Sequence, residues 1–218
     1  MRGVIFDMDG VLFDTERVYQ RIIRQIAEEG GIQLPQNFET IISGTSGKVM
    51  YDIFSRYFHV EDGRTVEKEW KRRSELTFRE SVPMKPHVRE TLVWLKENHY
   101  RTAVASASDR NWISHYLEVS GLTEYFDVIV SGSEVKNGKP APDVFLYAAE
   151  RLGLQAAECY VIEDSLNGVR AGHAAGSDTI MIPDLAQPDT EMREIAEVCD
   201  NMEEALVYIQ NRHKGNAF

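Results

Sequence analysis

Cysteine is scarce, basic residues are outnumbered, and no apolar run is long. The 218-residue chain has two cysteines, Cys159 and Cys199. Both lie in apolar, strand-like runs, where a small buried side chain is the default reading and nothing demands a disulfide. Lysine and arginine number 24 against 35 aspartates and glutamates, a formal net charge of −11. That balance argues against nucleic-acid binding, which needs a basic surface. It leaves anionic small molecules open, because a local cation can reverse the field within a site. No stretch is apolar for long enough to span a bilayer. The first ten residues contain acids, with no charged region leading into an apolar one, so no signal peptide is expected. Repeats and low-complexity tracts are absent. The expectation is a cytoplasmic protein that uses neither membrane nor nucleic acid and acts as a monomer.

What is present is an ordinary globular composition, 43% apolar, enough for a sizeable core. Its length fits one large domain or a core domain with a smaller insert. The chain is organised around Val4-Ile5-Phe6-Asp7-Met8-Asp9-Gly10 near its start. An apolar, β-branched and aromatic run of this kind reads as a strand buried on both faces. Two carboxylates then fall at its C-terminal end, where open α/β sheets place their ligands. Asp7 and Asp9 are two apart, so extended geometry would put them on one side. Like charges this close need a cation or a shared proton.

Downstream, 15–83 reads as helical throughout, with no convincing strand. The flanking segments, 1–14 and 84–218, alternate strand and helix. Expected strands are 102–106, 126–130, 159–162 and 179–182, with a possible sixth at 197–199. This order predicts an α/β fold: a Rossmann-like, doubly wound parallel sheet with an inserted α-helical domain. Val49, Ile53 and Phe54 mark the expected apolar face of one inserted helix. The segment Ser81-Val82-Pro83-Met84-Lys85-Pro86 is restricted by its prolines and reads as one side of a hinge. His87 reads as a helix-start residue, His173 as an exposed helix residue, and Asp14 as a cap for the helix that follows.

Three strands end in polar residues: Asp7 with Asp9, Ser106 with Ser108, and Glu163 with Asp164. A lysine, Lys139, stands between glycine and proline in a fourth loop. Carboxylates hold a hard metal through oxygen. Hydroxyls, backbone N–H groups and lysine hold phosphate oxygens. A carboxylate can attack phosphorus, and a second can protonate the leaving oxygen. These are the parts of a phosphoryl-transfer site.

Four motifs occur in order: Phe6-Asp7-Met8-Asp9-Gly10, Val104-Ala105-Ser106-Ala107-Ser108, Gly138-Lys139-Pro140-Ala141-Pro142-Asp143 and Val161-Ile162-Glu163-Asp164-Ser165. With them the chain resembles the haloacid dehalogenase superfamily of phosphohydrolases, in the beta-phosphoglucomutase-like branch with a helical cap. The resemblance implies a Mg²⁺ cofactor and a small phosphorylated metabolite as substrate. It implies that Asp7 is the nucleophile and a metal ligand. Asp9 would be the acid/base, ligating Mg²⁺ through its backbone carbonyl. Ser106, the Ala107 backbone and Lys139 would hold the phosphoryl group. Asp164 would ligate Mg²⁺, with Glu163 a further or water-mediated ligand. Gly44, Thr45 and Lys48 in the cap, with Ser108 and Arg110 in the core, are the expected substrate contacts.

The leading expectation is a Mg²⁺-dependent phosphatase, hydrolysing a sugar phosphate through an aspartyl-phosphate. A phosphomutase is the alternative. Mutases of this branch tend to carry arginine where this chain has Gly47, and lysine where it has Asp109, although Lys48 and Arg110 are adjacent. A carbon–halogen hydrolase would lack Asp9. A phospho-acceptor module would lack the helical insert, and an inactive binding module would have lost one of these polar roles.

Overall fold

Residues 3–6 form a strand because every side chain in the run is apolar or absent and both faces are covered. Val4, Ile5 and Phe6 are wholly buried. In the computed structural model, which describes residues 2–42, 45 and 47–215, this strand β1 (Gly3–Phe6) lies at the centre of a parallel sheet. A helical segment follows: α1 (Glu16–Glu29), α2 (Phe38–Ile42), α3 (Gly47–Phe58) and α4 (Arg64–Thr77). The chain then alternates through α5 (Val88–Glu97), β2 (Arg101–Ser106), α6 (Arg110–Val119), β3 (Val128–Ser131), α7 (Asp143–Leu152), β4 (Cys159–Glu163), α8 (Leu166–Ala174), β5 (Asp178–Met181), α9 (Thr190–Ile195), β6 (Glu197–Val198) and α10 (Met202–Gly215).

Among the described residues the sheet has six strands in the order β3-β2-β1-β4-β5-β6, all parallel. The chain winds outward from β1 to β3, then returns to the other side of β1 and continues outward. That reversal makes the fold doubly wound and opens a crevice beyond the C-terminal ends of β1 and β4. Alternate residues serve opposite faces. Ile5, Ala103, Ala105 and Val161 face α7, whose Val144, Phe145, Ala148 and Leu152 complete one core layer. Tyr160 projects from the other face and meets Tyr208 of α10, ring centroids 6.4 Å apart.

The chain divides into two compact units, residues 1–14 with 82–218, and residues 15–81. The second has its own core of Ile23, Ala27, Phe38, Met50, Phe54, Phe58 and Val66. Met50, Phe54 and Phe58 recur every fourth residue on one face of α3. Val49, expected on that face, is one position off it and 60% exposed. Within this unit Trp70 Nε1 donates to the Tyr19 carbonyl at 3.1 Å, and Arg73 bridges Glu29 and Glu69 at 2.6 and 2.7 Å.

Residues 83–85 do not behave as a free linker. The Asp14 N–H donates to Pro83 O at 2.8 Å and the Lys85 N–H to Leu12 O at 2.9 Å, with a bridge between Phe13 and Met84. Thr15 starts α1 without a side-chain cap bond, so capping does not explain that turn. His87 starts α5 with a left-handed backbone, φ 63°. Helix α9 has no counterpart in the sequence reading; Asp189 caps it, accepting from Met192 N at 2.9 Å.

Candidate active site

Three neighbouring strands, β2, β1 and β4, end at the same edge of the sheet, and their next residues are polar. Asp7 continues the β1 ladder by one rung, its N–H donating to Ile162 O at 2.9 Å. Extended geometry then stops. Met8 O accepts from both Leu12 N and Phe13 N, and Gly10 turns at φ 82°. Asp7 and Asp9 are therefore not residues of one extended face. Asp9 is held on the turn, where its Oδ2 accepts from Ser108 Oγ at 2.9 Å. Gly10 is required here twice over. Its φ is positive, and a Cβ would lie 2.3 Å from Asp164 Oδ2.

At the end of β2, Ser106 is 2% exposed and its Oγ accepts from Ser108 N at 3.0 Å. This bond closes a tight turn around Ala107. Ser131, at the end of β3, donates to Ser108 O at 2.8 Å and buttresses the same turn. The loop after β3 delivers Lys139. Its Nζ lies 2.5 Å from Asp7 Oδ1, 2.6 Å from Glu163 Oε1 and 4.8 Å from the centroid of the Phe145 ring.

Glu163 is 1% exposed. One oxygen takes Lys139; the other accepts from Asp164 N and Ser165 N, both at 2.9 Å, and from Ser165 Oγ at 3.0 Å. Glu163, expected as a further or water-mediated metal ligand, makes these contacts with both of its oxygens. They position Lys139 and the turn into α8. Gly168 makes the room, since a Cβ there would lie 1.8 Å from Glu163 Oε1.

Burial pushes the Asp7 carboxyl up to about 7; Lys139 draws it down, while Glu163 and Asp9 add to the rise. For Lys139, burial acts to lower the ammonium, but the charges and hydrogen bonds of Asp7 and Glu163 outweigh it and raise it. Asp7 and Glu163 favour the charged form of Lys139, and one lysine faces four acids gathered at these strand ends, Asp7, Asp9, Glu163 and Asp164. Oxygen donors carrying excess negative charge suit a hard divalent cation. Among the described residues no three acidic or histidine side chains already converge as a ready-made cluster. Asp7 is drawn to Lys139 and Glu163 to its own turn. Asp7 and Asp164, with the turn carrying Asp9, are the groups that fit such an ion.

A family model for haloacid dehalogenase-like hydrolases matches residues 4–182. The chain belongs to that family. A phosphorylated carbohydrates phosphatase from Thermotoga maritima is 35% identical over 185 residues, 83% of this chain and 84% of that one. A fructose-1-phosphate phosphatase from Escherichia coli is 31% identical over 179 residues, 82% of this chain and 94% of that one. A crystal structure from Thermotoga maritima, provisionally named a beta-phosphoglucomutase, matches with a TM-score of 0.81 at 31% identity, covering 97% of this chain and 99% of that one. These likenesses put the chain in the beta-phosphoglucomutase-like branch of the haloacid dehalogenase-like hydrolases.

Within this family fold, Asp7, Asp9, Ser106, Ser108, Lys139, Glu163 and Asp164 all lie at the end of β1 and its two neighbours. Ala107 is exposed at the same turn. Arg110 points elsewhere. Its guanidinium donates to Glu134 Oε1 and to Ile129 O, both at 2.7 Å, which ties α6 to β3. Thr45 Oγ1 donates to Ile42 O at 2.7 Å, and Lys48 pairs with Asp52 at 2.7 Å on an exposed face of α3. Gly44 lies outside the described residues. The sequence reading missed Gly168 and Ser131. A glycine in the first turn of a helix after an acidic strand end, and a serine ending a strand, were the available signals.

Proposed function

We propose that this chain is a Mg²⁺-dependent phosphatase that hydrolyses a small phosphorylated carbohydrate through a phosphoryl group carried on Asp7. The observation that carries this reading is the pairing of the buried Asp7 with Lys139 at the end of β1, with Asp9 on the adjoining turn. A carboxylate so placed can attack phosphorus while an ammonium faces the same space.

In the first half-reaction an Asp7 oxygen forms a bond to phosphorus, and the bond to the sugar oxygen breaks. Asp9 gives its proton to that departing oxygen. In the second, Asp9 takes a proton from water as the water oxygen bonds to phosphorus. The Asp7 carboxylate leaves and inorganic phosphate is released. Ser106, the Ala107 N–H and Lys139 bind the phosphoryl oxygens that do not react. Glu163 acts by holding Lys139. Asp7, the Asp9 carbonyl and Asp164 would hold Mg²⁺, which when bound supplies positive charge that neutralises the phosphoryl group and the carboxylates.

The helical unit, with Thr45 just before α3 and Lys48 in its first turn, and with Gly44 next to Thr45 in sequence, is the element proposed to choose among substrates. Closing it over the core would exclude water. Among the described residues no helix is long and apolar enough to cross a membrane.

A second reading, a phosphomutase, is favoured by the Thermotoga maritima structure named for that activity. Asp109 weighs against it, because its carboxylate begins α6 beside the Ser106–Ser108 turn, where a second phosphate would be repelled. The deciding assay supplies beta-glucose 1-phosphate with a trace of the 1,6-bisphosphate in Mg²⁺ and follows both products. Phosphate release with little interconversion is expected. Glucose 6-phosphate formed many times faster than phosphate would establish the mutase.

A further inference from the structure

The proposed chemistry makes no use of Lys85, yet the fold gathers three segments on it. Its ammonium lies 2.8 Å from Asp184 Oδ1 and 3.5 Å from Asp14 Oδ1. The Lys85 side chain is 21% exposed and that of Asp184 is 3% exposed, so this contact is sheltered from the screening that weakens surface pairs. Asp14 ends the outgoing connection to the helical unit, and Lys85 lies on the returning one. Asp184 belongs to the segment after β5, whose start is fixed where the Ile182 N–H donates to Glu163 O at 2.7 Å.

The two connections are also paired with each other. Asp14 N to Pro83 O, Lys85 N to Leu12 O and the Phe13–Met84 bridge make a short antiparallel ribbon on the core side. The same ribbon adjoins the turn that carries Asp9, since Gly10 N donates to Phe13 O at 2.8 Å. Backbone rungs alone hold two strands to each other. Phe13, wholly buried with its ring centroid 5.8 Å from that of Tyr116, fixes the outgoing strand to the core. For the returning strand Lys85 supplies an ionic attachment, to Asp184 in the loop after β5 and to Asp14 on the outgoing strand.

We infer that Lys85, through Asp184 and Asp14, clamps the core side of the hinge, so that movement of the helical unit is confined to Thr15 on one connection and residues 81–82 on the other. Lys85 is thereby a positioning residue for substrates large enough to need that unit. It touches no substrate. The hinge expected at residues 81–86 is shortened to its first two residues. The second part of this inference rests on the phosphatase reading; the clamp itself does not.

The test uses the full chain and has two arms. In hydrogen exchange, the Asp14 and Lys85 amides report the rungs, and the Asp7 amide on the β1–β4 ladder is the internal reference. Lys85→Met removes a sheltered ion pair and should speed exchange at residues 14 and 85 about tenfold or more, with residue 7 unchanged. Lys85→Arg should restore protection. In turnover, Lys85→Met should raise KM for a hexose phosphate about fivefold or more, the low end of coupling between sites. It should leave kcat/KM for p-nitrophenyl phosphate unaltered.

Unchanged exchange at residues 14 and 85 overturns the clamp. Faster exchange with equal losses on both substrates overturns the positioning role. If the wild-type protein turns over no phosphate ester, the phosphatase reading falls and the exchange arm still decides the clamp. Should Lys85→Met not fold, Lys85→Met with Asp184→Asn carries both arms, since it has one acidic group fewer where the cation is gone.

Discussion

Gly168→Ala sets two physical effects against each other, and the structure decides the sign. Gly168 lies in the first turn of α8, where alanine is the better helix former by up to about 0.8–1.0 kcal/mol. Helix propensity alone therefore predicts a more stable protein. The added Cβ, however, would sit 1.8 Å from Glu163 Oε1 and 1.9 Å from Glu163 Cδ. A free glutamate could swing aside at little cost. This one cannot, because it is 1% exposed and holds Lys139, Asp164 N, Ser165 N and Ser165 Oγ. Forcing extra volume into a packed site costs roughly 1–3 kcal/mol. Each lost hydrogen bond to a charged group adds roughly 1.5–3 kcal/mol. With one such bond lost, the net is a destabilisation of about 3 kcal/mol, or a Tm lower by about 6–12 °C for a chain of this size. Turnover should fall as well, because Lys139 loses its second carboxylate. The assay is thermal and urea unfolding of Gly168→Ala in the wild-type and Glu163→Ala backgrounds. Without the glutamate the clash is gone, and Gly168→Ala should become neutral or stabilising by up to about 1 kcal/mol. Equal effects in the two backgrounds, or a stabilised single variant, would refute the packing argument.

Asp9→Asn should slow turnover roughly 10²–10⁴-fold, the range for general acid–base catalysis. The loss in the phosphoryl-transfer step should be smaller with an activated leaving group such as p-nitrophenol; equal losses in that step would remove Asp9 from the acid role. Chelation should abolish activity and Mg²⁺ restore it, with Ca²⁺ a poor substitute because it takes more ligands in a looser geometry; full turnover in chelator would overturn the metal proposal. Cys159 and Cys199 are both buried, and burial pushes each thiol up to about 11. Both should react with a disulfide reagent only on the timescale of unfolding at neutral pH, and fast labelling of the native protein would count against that burial.

Much of the fold was legible because parallel strands buried on both faces are written as uninterrupted apolar runs. Val4–Phe6 and Cys159–Ile162 are such runs, and β6 was visible despite being two residues long. Helix α9 was hidden because six residues give too little periodicity to detect. Val49 was misplaced because in α3 an apolar residue one position off the buried face looks like part of it.

The site was legible in its members but not in their division of labour. Glu163 and Asp164 are adjacent acids of the same chemical type. Which of them turns inward depends on the pleat of β4 and on the space left at Gly168, a contact five residues away. Asp7 and Asp9 looked like one face of a strand because spacing alone cannot show that the chain turns after Asp7. Arg110 looked available because its partner, Glu134, is brought to it by the packing of α6 on β3.

The central claim is that phosphoryl groups pass through Asp7. The direct measurement is acid quench of the protein, and of its Asp9→Asn variant, during turnover of a hexose phosphate in Mg²⁺, followed by peptide mass spectrometry. The account predicts an acid-stable, base-labile phosphoryl group on Asp7, absent from Asp7→Asn. Phosphate release at the full rate from Asp7→Asn, or a phosphoryl group found on another residue, would contradict it.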